Sequence, residues 1–245
     1  MRVECEEAFV LHSRPYRETS RLVDIFTRHY GRFRVVARGS RGGSARKRSL
    51  NLMPFTLLQL SWSGQSELKN LMAAESVAAT PFFRGKTLYS GFYLNELMIR
   101  LLAEHDPHEG LFDHYRESIQ QLASEENLEI LLRQFEMRLL NEIGYELVVD
   151  VDVVSGEPVH ANASYRYDAI LGGVEQVFSA VQPGSLQRQM ELFSGRSLLS
   201  IAGNELMEPE VLSDAKRLLR LALKPHLGDR PLQSRKLFQA LGGKQ

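Results

Sequence analysis

Between Arg28 and Arg48 the chain places eight cations, Arg28, Arg32, Arg34, Arg38, Arg41, Arg46, Lys47 and Arg48, and not one Asp or Glu. Like charge at this density is unfavourable in a folded chain unless an anion neutralises it. Guanidinium groups suit a phosphate backbone, because each can grip two oxygens at once. Over Gly31–Arg38 apolar and basic residues alternate. On a strand this turns Phe33, Val35 and Ala37 to one side and Arg32, Arg34 and Arg38 to the other. The glycine-rich stretch Gly39–Ser44 then leads into Arg46-Lys47-Arg48. Together these eight residues are the candidate nucleic-acid-binding site. Lys216, Arg217 and Arg220 fall opposite the apolar stripe of a helix over 210–223 and form a candidate second basic surface. Tyr16 and Tyr30, in turns, are candidates for stacking on bases, whereas Phe33 and Trp62 are expected in the core.

Bond-making chemistry finds no comparable cluster. Gly85-Lys86-Thr87 resembles the end of a phosphate-binding loop, but that pattern needs a glycine where Thr80 stands. Pro81, Phe82 and Phe83 also occupy what should be a flexible turn. His105-Asp106-Pro107-His108-Glu109, with Asp113 and His114 beyond, reads as a polar loop between helices rather than a metal site. Asp150 and Asp152 would share one face of an extended run, yet nothing converges on them for acid–base work. Cys5 lies too close to the terminus to argue as a nucleophile. No catalytic residue, cofactor or metal is therefore expected, and the chain is not expected to be an enzyme.

The elements that must position the cations change character near residue 80. Alternating apolar runs at Ala8–His12, Arg21–Phe26, Arg32–Arg38, Phe55–Trp62 and Leu68–Val77 predict five short strands, as in an OB-fold barrel over 1–80. Residues 81–245 predict a mainly α-helical domain. Its stripes are Leu94, Leu97, Met98 and Leu101, then Leu128, Leu131, Leu132, Phe135, Leu139 and Ile143 before a capping Gly144, with another helix over 111–123. Helical periodicity lapses over 145–182, an irregular or β insertion. Helices resume near Leu186–Phe193, from Pro209 to Lys224-Pro225, and over about Ser234–Leu241. The fold class is α+β, in two domains.

Composition bounds the partners. The 245 residues carry zero formal net charge, yet residues 1–80 hold 13 Lys and Arg against 7 Asp and Glu, a net of +6 balanced by −6 in the remainder. Such a split points to an anionic partner for the first domain. The single cysteine excludes an intramolecular disulfide and a four-cysteine zinc site, and it fits a reducing compartment such as the cytoplasm. No apolar run reaches the roughly 18 residues that would span a membrane, and no membrane partner is expected.

Several segments, in this order and at this spacing, resemble the RecO family of bacterial recombination mediators. They are Ala8–Pro15, Glu18-Thr19-Ser20, Gly31-Arg32 to Ala37-Arg38-Gly39, Leu88-Tyr89-Ser90-Gly91 with Asn95-Glu96-Leu97, and Arg133 with Phe135-Glu136 leading to Gly144-Tyr145. Ser155-Gly156-Glu157-Pro158-Val159, Ala222-Leu223-Lys224-Pro225 and Ser234-Arg235 complete the set. The resemblance implies an OB domain and a helical domain that bind single- and double-stranded DNA and anneal complementary strands. It also implies contact with the acidic C-terminal tail of single-strand-binding protein, and work with RecR to load RecA. Arg133, Phe135 and Arg138, on one helix, would suit that tail. The implied location is the bacterial cytoplasm, with the nucleoid during repair. Many members hold zinc with two Cys-x-x-Cys pairs after the Gly-Tyr turn. Here Asp152 and Ser155 stand in place of the first pair, a pattern most similar to the zinc-free gammaproteobacterial branch, so residues 145–182 should be held by packing alone. The basic segment by itself fits an OB-fold RNA or tRNA binder equally well, since phosphates carry no sugar information.

Overall fold

The computed structural model describes residues 2–39, 52–124, 126–178 and 192–242. Five strands, β1 (Arg2–Tyr16), β2 (Ser20–Thr27), β3 (Gly31–Ala37), β4 (Leu57–Ser63) and β5 (Lys69–Ser76), close a barrel in the order β1-β2-β3-β5-β4. All pairs are antiparallel except β3 with β5, where Val35 faces Lys69 and Val36 faces Asn70. This is the OB order. β1 serves both sides of the barrel, and its register shifts once against β4 and once against β2, as a strongly bent strand requires. Val10, Val23, Ile25, Phe33, Val35 and Trp62 fill the interior.

The barrel's outer surface is not all wet. Phe9 and Phe26 point outward and are buried against Phe112, with ring centroids at 5.3 and 5.6 Å, and Phe9 also meets the edge of Tyr115. These partners belong to α2 (Glu109–Leu122), which follows α1 (Gly85–Leu101). Asn95 of α1 donates to the Leu11 carbonyl at 2.7 Å and accepts from the Tyr115 hydroxyl at 2.6 Å, so the buried polar groups are paired. The last barrel strand ends at Ser76, shortly before the change of pattern at residue 80, and the packing continues into α1 and α2. By compactness one unit takes Met1–Glu126 and Pro231–Gln245, and the other takes Asn127–Arg230. The return is made by α6 (Gln233–Gly242), which packs on α1. The Glu96 carboxylate of α1 accepts from the backbone N–H groups of Gln233 and Ser234 and from the Ser234 hydroxyl, at 2.7–2.8 Å. Negative charge at a helix N-terminus is favourable.

The connection from α1 to α2 runs along β3. Glu104 bridges to Arg32, and the His105 N–H donates to the Arg32 carbonyl at 2.9 Å. Gly31 makes this approach possible. Its φ is +67°, and a Cβ there would stand 2.2 Å from the Asp106 carbonyl oxygen. Gly31→Ala is expected to cost about 3 kcal/mol from left-handed strain plus backbone overlap. A urea midpoint equal to wild type would show that the loop does not press on this turn.

The second unit opens with α3 (Leu128–Glu142). Gly144 at φ +82° closes it, with Gly144 N–H donating to the Asn141 carbonyl and Tyr145 N–H to that of Leu140. This is a Schellman arrangement, at the glycine expected to cap the helix. Four strands follow, β6 (Val148–Asp152), β7 (Ser164–Asp168), β8 (Gly173–Gln176) and β9 (Leu192–Ser194), in the sheet order β6-β8-β7-β9. α4 (Gly195–Ala202) and α5 (Pro209–Leu227) cover it, around Tyr165, Val174, Phe193, Leu198 and Leu218.

Two expectations change here. Leu192–Ser194 is a strand and not the end of a helix, because β7 offers it a pairing edge, with Phe193 opposite Tyr165; residues 186–191 lie outside the described residues. α5 passes through Pro225 to Leu227, since a proline in the last turn forfeits only one hydrogen bond and His226 packs against Tyr145. No helix among the described residues is long and apolar enough to cross a membrane.

Candidate nucleic-acid interface

Phe33, Val35 and Ala37 of β3 point into the barrel as the alternation requires. Their neighbours point out, but out is not always into water. The Arg32 side chain is buried beneath the α1–α2 connection. Its Nε and Nη2 donate to the Leu102 carbonyl at 3.3 and 3.1 Å, and its Nη1 lies 3.6 Å from Glu104 and 3.9 Å from Asp24. Arg28 is engaged as well. It donates to both oxygens of Asp113 at 2.7 Å, stands near Glu7 and Glu109, and lies over the Phe112 ring. The hydrogen bond from Arg28 holds the Asp113 carboxyl below its ordinary pKa. Both arginines therefore join the barrel to its helices and cannot serve as free phosphate ligands. Arg34 is half-exposed, with Glu104 at 3.1 Å. Arg38, just beyond β3, is exposed and has no acidic partner among the described residues. Arg41, Arg46, Lys47 and Arg48 lie outside the described residues.

Trp62 and Phe33 sit in the barrel core as expected, and Tyr30 is not a free platform, because its ring packs edge-on against Trp62. Tyr16 is half-buried with Arg17 over its ring. Of the second basic surface, Lys216 pairs with Glu129 at 2.9 Å. Arg217 is held by Asp214, by the Leu192 carbonyl and by the Phe193 ring. Arg220 remains exposed, one helical turn from the equally exposed Lys224. The exposed part of this surface is thus narrower than the three residues expected, Lys216, Arg217 and Arg220.

The cluster on α3 does not form an exposed pocket. Phe135 is fully buried, and Arg133 is buried in an ion pair with Glu136 at 2.7 Å. Only Arg138 reaches solvent, paired with Glu142. The expected tail site at Arg133, Phe135 and Arg138 does not come together as one exposed pocket: Arg133 and Phe135 are buried, and Arg138 alone remains accessible, beside Glu142.

Asp150 and Asp152 do not share a face. The register of β6 is irregular between Val148 and Asp152, which leaves Asp150 exposed and turns Asp152 inward. The Asp152 Oδ1 accepts from the N–H groups of Val154 and Ser155 at 2.8 and 2.9 Å, and its Oδ2 accepts from that of Gln176 at 2.6 Å. These bonds, that from Ser155 foremost, hold the carboxyl below its ordinary pKa. The residues here do not fit zinc, because three N–H dipoles direct positive charge at the oxygens a cation would need. Residues 145–178 are thus held by packing and by one carboxylate that ties the β6 turn to β8, not by packing alone.

Two further readings settle locally. His105 stacks on Phe33, with centroids 5.0 Å apart, so the polar loop is an anchor. Gly85-Lys86-Thr87 starts α1, where the Thr87 hydroxyl donates to the Arg84 carbonyl at 2.8 Å. One aromatic escaped the sequence reading: Phe82 is exposed to 79%, with the Arg84 guanidinium 4.7 Å from its ring centre. The Phe82-Phe83 doublet was the available signal, since adjacent residues of an extended segment cannot both face inward.

The family model described as Recombination protein O N terminal matches residues 1–80, and that described as Recombination protein O C terminal matches residues 83–236. DNA repair protein RecO of Stutzerimonas stutzeri is 46% identical over 238 residues, covering 96% of this chain and 94% of the relative. The protein of that name from Pseudomonas aeruginosa is 45% identical over 233 residues, covering 95% and 94%. That from Haemophilus influenzae is 43% identical over 238 residues, covering 97% of each.

Proposed function

The chain belongs to the recombination protein O family, and from that premise we propose that it is a DNA-binding recombination mediator without an active centre of its own. It binds single- and double-stranded DNA and anneals complementary strands. It engages the acidic C-terminal tail of single-strand-binding protein and helps RecR to load RecA, in the bacterial cytoplasm and at the nucleoid during repair. The observation that carries the reading is the acid-free segment that leaves an OB barrel at the exposed Arg38. Annealing needs no catalytic group. Cations that neutralise phosphates lower the repulsion between two strands while leaving base edges free to pair.

Arg28 and Arg32 are engaged in the fold and Arg34 lies against Glu104, so the reading assigns phosphates to the other five cations of the segment: Arg38, Arg41, Arg46, Lys47 and Arg48. If each meets one phosphate on a single strand, log K should fall with log salt at a slope of about −3.5. A titration series from low to moderate salt measures it, and a slope near zero would remove phosphate contact from the mechanism. The deciding experiment is annealing of complementary strands coated with single-strand-binding protein. The chain is expected to accelerate pairing on coated DNA. Acceleration on bare strands alone would reduce it to a generic binder, and equal competition by matched RNA would favour an RNA partner.

A further inference from the structure

We propose that Phe82 and Arg84 form a base-stacking platform for a single nucleic-acid strand, a contact distinct from the basic segment and resting on the reading of the chain as a DNA binder. Pro81–Arg84 is the last part of the connection from β5 to α1 and is extended at its end, with Arg84 at φ −135° and ψ 156°. In such a segment alternate residues share a face. Phe83 faces in and packs on Phe55, with ring centres 5.2 Å apart. Phe82 and Arg84 face out together, which is why the guanidinium stands over the ring. Phe83 fixes the backbone, so the exposed ring is presented from an anchored segment rather than a loose one.

The surroundings favour a polyanion with flat, stackable groups. No Asp or Glu occurs between Glu75 and Glu96, while Arg84 and Lys86 are exposed and have no acidic partner among the described residues. An aromatic ring takes any base on its face, and a cation beside it meets the phosphate. The platform also borders the point where the chain re-enters the barrel after the basic run. Leu52 is seated in the barrel core four residues after Arg48, and the hydroxyls of Thr56 and Thr80 lie 3.0 Å apart. A strand held by phosphates at one place could therefore be held by a base at the other.

The test compares the full chain with Phe82→Ala and Phe82→Trp for binding to a thymidine oligonucleotide of about 20 bases and to an abasic strand of equal length. Phe82 is exposed, so the variants should unfold at the wild-type temperature. Phe82→Ala is expected to lose about tenfold in affinity for the thymidine strand, with its salt slope kept and its affinity for the abasic strand unchanged. Phe82→Trp should restore binding, and its indole fluorescence should be quenched on the thymidine strand; the native Trp62 is buried in the barrel and cannot give that signal. Equal affinity of Phe82→Ala for the thymidine strand overturns the platform and leaves the parent reading standing. An equal loss on both strands overturns stacking. Loss of binding only to an acidic peptide ending in Phe makes the surface a protein site instead. Failure of the wild type to bind either strand removes the parent reading and the platform with it.

Discussion

Replacing Arg38, Arg46 and Lys47 together by Glu is expected to lower affinity for single-stranded DNA about a hundredfold or more at moderate salt, with the fold intact. Each lost phosphate contact flattens the salt slope by about 0.7, and each new carboxylate adds repulsion on top. Arg38 is chosen for its exposure, and Arg46 and Lys47 for their place in the acid-free run. Arg34 is left alone, because it shares Glu104 with Arg32, and reversing it would set two carboxylates side by side at the α1–α2 connection. Arg28→Ala is the matching control. It removes the bidentate partner of Asp113, so it should unfold more readily while its folded fraction binds DNA with the wild-type slope. Circular dichroism and fluorescence anisotropy on the same samples separate the two effects. A triple variant that binds as wild type would take this segment out of the interface.

The second large effect concerns Asp152. Asp152→Ala leaves three N–H groups of the β6 turn and β8 without their charged acceptor. A loss of about 3–5 kcal/mol is expected, since hydrogen bonds to charge are the stronger ones and the site is buried. The pH dependence has a definite sign. The folded-state pKa of Asp152 is held below its unfolded value, so its contribution is fully present above about pH 4 and is lost as pH falls through the lower, folded value. In the Ala variant this acid-linked part of the stability should vanish. The two units can be read apart, because the single Trp62 lies in the barrel and reports the first unit, while amide exchange over 148–176 reports the second. Unchanged exchange there in the variant would mean that packing alone holds the small sheet.

The barrel was legible because period-2 alternation is a direct projection of its inside and outside. The same alternation cannot say whether outside means water. Arg32 and Arg34 share a parity, yet one lies beneath a connection from sixty or more residues later and the other reaches solvent. Only the acidic and carbonyl groups waiting at Leu102, Glu104 and Asp113 distinguish a phosphate ligand from an internal brace, and those sit on other elements. Helix α3 misled in the same way. Arg133 and Glu136, three residues apart, neutralise one another inside the unit, a pairing that charge spacing also shows on wet helix faces. The three-residue β9 carries too little periodicity to be read at all, and its partner strand decides it. Asp152 was found as a chemical candidate and not as a structural one, because its donors come from its own turn and from a strand more than twenty residues on.

The first unit is completed by the last helix, with Glu96 waiting for the N–H groups of Gln233 and Ser234. During synthesis, then, the contact between α1 and α6 waits until the segment that carries α6 has left the ribosome. The intervening unit, whose segments are contiguous in sequence, can finish ahead of it. The barrel strands all precede α1, so what waits is one flank of α1, left uncovered until α6 arrives.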